Sequence, residues 1–413
     1  MRKQLTGFAA ALMIAATAGT ACSNSDDTLS NEGNERVNID VTASEMKLVT
    51  GSNDFAFRLF RAARNEKSLI LSPISITYAL GMLNNGAAGE TQQQINSVLG
   101  FGTEGADGIN AFCRKMLTEA PKLDRLTTVM IANNIYVNRG YELNSQFVQT
   151  AQHYYDATPE SRDFHDGRTL AVINRWASDH TQGLIPSVLD GGSFNPDAVS
   201  YLLNAIYFKG AWAHKFNKSD TKDEDFEGAA SKVPMMHQKT SLLYTDNDVC
   251  QALQLPYGNS AYRMTVLLPR EGKSIDDVLQ TLTAEKWDHE YCDRMVSVDA
   301  DVKLPRFESN TDMGLNAVMS ALGMPLAFDA DRAEFPNFCS VPTFIGMMKQ
   351  VARIKLNEEG TEAAAVTVIG MYTTYVGPSE PQQVVFHANR PFLYVISELS
   401  TGAIFFIGQY MGK

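Results

Sequence analysis

The stretch NEEGTEAAAVTVI, residues 357–369, decides how the rest of the chain is read. With a period of two, one face carries Thr361, Ala363, Ala365, Thr367 and Ile369. The other carries Glu362, Ala364, Val366 and Val368. The first face is small and can enter a packed interior without displacing anything bulky. The second holds the only charge after the glycine and looks to solvent. Gly360 permits a backbone bend just before the strand. GMYTTYVGPSEPQQ follows, and its Gly370, Gly377, Pro378 and Pro381 mark an exposed loop. A buriable strand running into a long exposed loop describes a segment that can sit outside a sheet and later enter it.

Around this stretch the chain is ordinary in composition. Its 413 residues are 44% hydrophobic and 20% charged, ample for one large core or two modest ones. The start is different. Arg2 and Lys3 precede an apolar run from Phe8 to Ala18, and Gly19, Thr20 and Ala21 lead into Cys22. Residues 1–21 have the form of a secretory signal peptide, too short to span a bilayer comfortably. Residues 22–44 are polar and are expected to form a flexible tether. From 45 to 413 the sequence shows no linker-like break and no internal repeat, so one domain is expected.

Loss of residues 1–21 removes two positive charges from a chain of net charge −12, leaving −14. Nucleic acid and heparin-like polyanions are therefore poor partners. Cys113, Cys250, Cys292 and Cys339 form no CxxC pair, and their spacing leaves open whether they are free or bridged. No histidines pair at metal-ligand spacing, and no metal or cofactor is expected. GFGTEG (100–105) satisfies a dinucleotide-binding pattern but follows a helical stretch, so it reads as a loop. Motifs of hydrolases, metalloproteases and β-lactamases are absent. Asn217-Lys218-Ser219 is a glycosylation sequon in form only.

Helical periodicity covers 52–65, where Phe55, Leu59 and Phe60 share a face, and also 75–85, 91–99 and 170–181. Strand-like runs cover 129–137, 200–208, 262–268, 351–356 and 392–397. Helices crowd the first half and strands the second, which indicates an α+β fold.

EEGTEAAA, with FHANRPFLY downstream, resembles the hinge and return strand of the serpins, a family of serine protease inhibitors. Further likenesses follow in one order: KSLILSPISITYALGMLNNGAAGET (67–91), ANNIYVNRGYELNSQFVQTAQHYYDA (132–157), INRWASDHTQGLI (173–185), LLNAIYFKGAW (202–212), LPYGNSAYRMTVLLP (255–269) and GAIFFIGQYMGK. The resemblance implies three β-sheets, about eight to nine helices and a reactive loop at about 358–385. It implies no enzymatic turnover. A target protease would attack the loop, be held as a covalent acyl-enzyme, and be deformed as the loop enters the sheet as a new strand.

By the same resemblance Glu358, Gly360, Thr361, Ala363, Ala364 and Ala365 form the hinge. Thr361 is expected at the base of the intact loop and is the first side chain to enter the sheet. Ser72, Ser75, Asn204 and Gln350 form the shutter, where strands must part; plain helix capping explains Ser72 and Ser75 equally well. Gln350 stands where many members have histidine, so its site does not titrate near neutral pH. Trp212 matches the breach residue at the top of the sheet. The family's usual spacing puts the scissile bond at Thr374–Tyr375, with Tyr372, Thr373 and Val376 open as alternatives. Between Glu362 and Arg390 there is no Lys or Arg, so elastase-like or chymotrypsin-like targets are expected and trypsin-like ones are not. Papain-like cysteine proteases stay open.

Cys22 resembles the acylated cysteine of bacterial lipoproteins, although Gly19 departs from the Leu or Val that usually opens the box. The expectation is a monomer anchored by lipid at the outer membrane or cell surface, with simple secretion or a periplasmic location as the alternative. A non-inhibitory serpin acting as a binding or structural surface protein is the competing reading.

Overall fold

The computed structural model describes residues 34–361 and 382–412. The signal peptide, Cys22, the first part of the tether, Ala363, Ala364, Ala365 and positions 372–376 of the loop lie outside the described residues.

The first helix, Ala43–Ala63, starts well before the expected 52. Thr42 Oγ1 accepts from the Glu45 N–H at 3.2 Å, and Glu45 returns the bond to the Thr42 N–H at 2.7 Å. This reciprocal cap satisfies donors that the first turn leaves free. Phe55, Leu59 and Phe60 are buried, as their spacing predicts. Pro73–Asn84 is apolar on nearly every side and lies buried between sheets, with Ser72 as its cap and Pro73 at its first position. Gly89–Leu99, Gly105–Glu119, Ser145–Tyr155 and Thr169–His180 complete the longer helices. Three short ones follow, Ile275–Thr281, Ala284–Lys286 and Asn316–Leu322, making nine among the described residues. GFGTEG is a loop: Gly100 ends a helix at φ +84° and Gly102–Glu104 is one 3-10 turn.

The strands form two hydrogen-bonded networks. The six-stranded sheet runs, in spatial order, Phe307–Gly314, Lys349–Asn357, Gly360–Thr361, Ser200–Ala211, Thr127–Asn138 and Thr158–Arg162. The nine-stranded network contains the C-terminal hairpin Phe392–Glu398 and Ile404–Tyr410 and ends at Gln383–His387. The third sheet of the expected fold is not a separate network. Val233–Asp246 pairs with Val296–Pro305 along most of its length and with Cys250–Tyr257 at its end, so one long strand joins two sheets.

Pro73–Asn84 touches Ser200–Ala211 on one side and Ile404–Tyr410 on the other, and the main core surrounds it. Thr169–His180 covers the opposite face of the six-stranded sheet, where Ile173 packs with Tyr136 and Tyr201.

Residues 34–42 correct the expected tether boundary, because they lie against the body. Asn34 is buried, donating to Asp124 Oδ1 at 2.7 Å and accepting from the Arg125 N–H at 2.9 Å. Ile39 is buried too, and its N–H donates to Ser400 Oγ at 2.9 Å. Two buried side chains and their bonds offset the ordering of so short a segment. The four cysteines are free. Burial pushes the Cys113 and Cys250 thiols up, and that of Cys292 to about 12, so all three stay protonated.

Candidate functional site

The six-stranded sheet contains a slot. At its top, Asn357 and Gly360 pair across a two-residue turn, Glu358–Glu359, which reverses the chain into the short strand Gly360–Thr361. That strand bonds Leu356 on one side and Gly210 on the other. Beyond Thr361, no ladder among the described residues joins Lys349–Asn357 to Ser200–Ala211. A cavity of about 510 Å³ lies there, lined by Ser72, Ser75, Asn204, Ile206, Gln350 and Ala352 among others.

Three local features fix the hinge. Gly360 has φ +148°, and a Cβ there would sit 2.1 Å from the Gly210 carbonyl oxygen, so only glycine fits. Trp212, fully buried, donates its N–H to the Glu359 carbonyl at 2.8 Å and its indole N–H to the Asn357 carbonyl at 2.9 Å. Its ring stacks on Tyr257 at 4.5 Å and 12°. Tyr257 completes the circuit with a 2.5 Å bond between its hydroxyl and Thr361 Oγ1. Burial pushes the Tyr257 phenol up, so it remains neutral and serves as a hydrogen-bonding group.

Thr361 therefore departs from expectation. It is 3% exposed and already seated in the sheet, because Tyr257 supplies a polar partner for its hydroxyl at the slot's top. An arginine at this position would not stay hydrated in the intact chain. Glu358 is also buried; its carboxylate accepts from Thr221 Oγ1 at 2.8 Å and lies 3.4 Å from Arg306. Glu359 lies 2.8 Å from Lys215 and 3.2 Å from Lys218. The Lys215 ammonium holds the Glu359 carboxyl below the usual carboxylate range, with burial opposing and Lys218 assisting.

All four shutter residues converge under the slot. Gln350 embraces the Ser72 backbone, its Nε2 donating to the Ser72 carbonyl at 2.9 Å and its Oε1 accepting the Ser72 N–H at 3.3 Å. Ser72 Oγ donates to the Phe405 carbonyl at 2.9 Å while accepting the Ser75 N–H. Capping and bridging are thus the work of one hydroxyl. Ser75 Oγ donates to Asn204 Oδ1, and Asn204 Nδ2 donates to Asn133 Oδ1 at 2.8 Å. Asn133 in turn donates to the Tyr155 carbonyl at 2.7 Å.

Sequence reasoning missed Tyr257, Asn133, Lys215, Lys218, Thr221 and Arg306. Their partners lie far along the chain, and nothing local in the sequence marks them. Chemically, the arrangement offers one thing: two facing strand edges that no ladder among the described residues joins beyond Thr361, with Ser72, Ser75, Asn204 and Gln350 lining the gap.

The six-stranded sheet thus holds two strands that no ladder among the described residues joins below Thr361. A family model described as serpin (serine protease inhibitor) matches residues 50–412. Human Serpin B3 is 32% identical over 388 residues, covering 88% of this chain and 98% of the relative. The leukocyte elastase inhibitor of Xenopus tropicalis is 31% identical over 380 residues, with 88% and 98% covered. Among solved structures, the thermophilic serpin tengpin in its native state superposes with a TM-score of 0.78 at 25% identity, covering 91% of this chain and 99% of its own. The chain belongs to the serpin family.

Proposed function

We propose that this serpin is a suicide-substrate inhibitor of serine proteases whose loop enters the slot after cleavage. The observation that carries the reading is the register at the slot's top. Thr361 pairs with Leu356 and Gly210, so each two residues further along the loop advance by two along both neighbours. Ala363 would meet Ile354 and Phe208, and Ala365 would meet Ala352 and Ile206. All four neighbours are buried, and small loop residues opposite them enter without overpacking. Thr367 would arrive between Gln350 and Asn204, offering a hydroxyl to two amides. A full set of ladder bonds and the burial of this face drive insertion.

The attacked bond is Thr374–Tyr375 or a neighbour within 372–376, and the absence of basic residues up to Arg390 selects apolar or small S1 pockets. The elastase inhibitor among its relatives supports that choice. The test is incubation with elastase, chymotrypsin and trypsin. An SDS-stable complex with either of the first two, and sequencing of the released C-terminal peptide, would support the reading. A stable complex with trypsin cut within this loop overturns the specificity. No complex with any protease, together with a melting temperature unchanged by loop cleavage, would establish the non-inhibitory alternative.

We also propose that Cys22 carries lipid and holds the inhibitor on a membrane. The Cys22→Ser protein should be released in soluble form or keep its leader. Unchanged partitioning with membranes would rule lipidation out, since several acyl chains are what anchor firmly.

A further inference from the structure

The hinge turn carries two adjacent carboxylates, and a single segment of the chain, Trp212–Thr221, gathers both. Phe216 N–H donates to the Glu358 carbonyl at 3.0 Å, and Thr221 Oγ1 donates to the Glu358 carboxylate at 2.8 Å. Lys215 and Lys218 hold the Glu359 carboxylate at 2.8 and 3.2 Å. Lys215 and Glu359 both keep under a quarter of their side-chain surface exposed, whereas Lys218 is 70% exposed. The Lys215–Glu359 pair is thus partly screened from water and the second lysine adds a weaker, solvent-facing contact.

We propose that Lys215, assisted by Lys218, is a positioning residue for strand insertion: it clasps Glu359 and so keeps Gly360 and Thr361 seated at the top of the slot. The inference rests on the inhibitory reading above. With the clasp closed, the inserting strand has its first two residues in register, and each further residue adds ladder bonds next to an existing pair. With the clasp open, the turn can lift from the slot and insertion must begin by finding its register, which costs orientation freedom before any bond rewards it. Insertion competes with deacylation of the trapped protease, so slower insertion turns inhibitor into substrate. Charge, and not side-chain bulk, is the working element, because Trp212 and Phe216 already supply the packing and backbone bonds.

The experiment compares the parent, Lys215→Met/Lys218→Met, the charge-reversed triple Lys215→Glu/Lys218→Glu/Glu359→Lys, and Lys222→Met as an exposed lysine control. Each intact protein is first melted to establish that it folds. The rate at which loop-cleaved protein gains heat resistance then reports insertion directly, and the inhibitor molecules consumed per protease inactivated report the competition. The double Met variant should insert about tenfold more slowly, equivalent to about 1.4 kcal/mol at the barrier. Its stoichiometry should rise, and charge reversal should restore both. Salt raised to about 0.5 M should slow the parent and leave the double Met variant unmoved. A parent that gains no heat resistance on cleavage overturns the inhibitory reading and the clasp with it. A parent that inserts normally while the double Met variant matches it, or a reversed triple that fails to recover, overturns the clasp alone.

Discussion

Around Gly360 and Thr361 the six-stranded sheet is closed by steric fit and fixed charge, whereas further down no ladder among the described residues joins its strands, and the neutral amides of Asn204 and Gln350 line the gap. At the top, a glycine that tolerates no Cβ, a stacked tryptophan and two ion-paired glutamates leave one conformation available. At the shutter, Ser72, Ser75, Asn204, Asn133 and Gln350 hold one another through donors and acceptors that can exchange partners without any charge being buried or released. The contrast assigns separate physical tasks to the two regions. Under the proposed inhibitory mechanism, the top sets where a strand begins and the shutter lets neighbouring strands separate along its path. Substitutions at the top should therefore damage the intact molecule, and those at the shutter should change how readily the sheet opens.

The largest effect is expected from Gly360→Ala. Its Cβ would meet the Gly210 carbonyl oxygen and force the hinge strand out of the sheet, at a cost of about 3 kcal/mol or more. The thermal midpoint of the intact protein is the readout, and a shift within error would show that the top is soft after all. Thr361→Arg comes next. The site is already buried against Tyr257, so an unpaired guanidinium there costs about 3 kcal/mol in the intact state. Lower stability and failed inhibition should appear together, with Thr361→Val losing only the Tyr257 bond, about 1 kcal/mol. An intact Thr361→Arg protein as stable as the parent would place this side chain outside the sheet.

These positions also show what the sequence could and could not reveal. Gly360 was legible as the bend, and the structure sets it at the turn; the small face that follows, from Ala363 on, lies outside the described residues. The four shutter positions and Trp212 were named by family resemblance; the structure puts the four under the slot and Trp212 at the hinge. What stayed hidden was long-range. Tyr257 lies 104 positions from Thr361 in the chain, and Asp124 lies 90 from Asn34. The seating of Thr361 depends on such a partner, so its burial could not be read from local pattern. The early start of the first helix is a different kind of miss: Thr42 and Glu45 spell a capping box that the hydrophobic period, beginning later, did not include.

At the shutter, Gln350→Ala should cost about 2 kcal/mol, since it removes both bonds to the buried Ser72 backbone and takes the amide acceptor from that N–H, while the carbonyl keeps the Ile76 N–H. Gln350→His sharpens the comparison through pH. A buried imidazole resists charging, so the unfolded chain binds more protons than the folded one as pH falls below about 6.5. Stability of that variant should then be full above this range and decline below it. The parent, with an amide here, should show no such decline from this position. Melting curves at pH 5.5 to 8 separate the two, and a parallel profile for both proteins would mean that the site is not sealed from water.

Asn34→Ala tests how far the closed end extends. Asn34 is bonded to Asp124, which also accepts from Thr127 Oγ1 at 2.5 Å and from the Asn259 N–H at 3.4 Å. Thr127 stands across from Gly210, which stands across from Thr361, and Asn259 follows closely on Tyr257. The N-terminal segment is therefore fastened within a few residues of the hinge, on the side where Ser200–Ala211 meets its neighbour. The variant loses one bond to a carboxylate and one to the Arg125 N–H, but Asp124 keeps its donors from Leu126 and Thr127, so a loss of only about 1 kcal/mol is expected. Amide hydrogen exchange provides the sharper measure. If the closed end reaches the N-terminal segment, protection should fall in Thr127–Asn138 near Thr127 and at Gly360–Thr361, while the shutter end of the same strands stays protected. Loss confined to residues 34–42 would instead mark Asn34 as a local fastening, and the rigid part of the slot would stop at Trp212 and Tyr257.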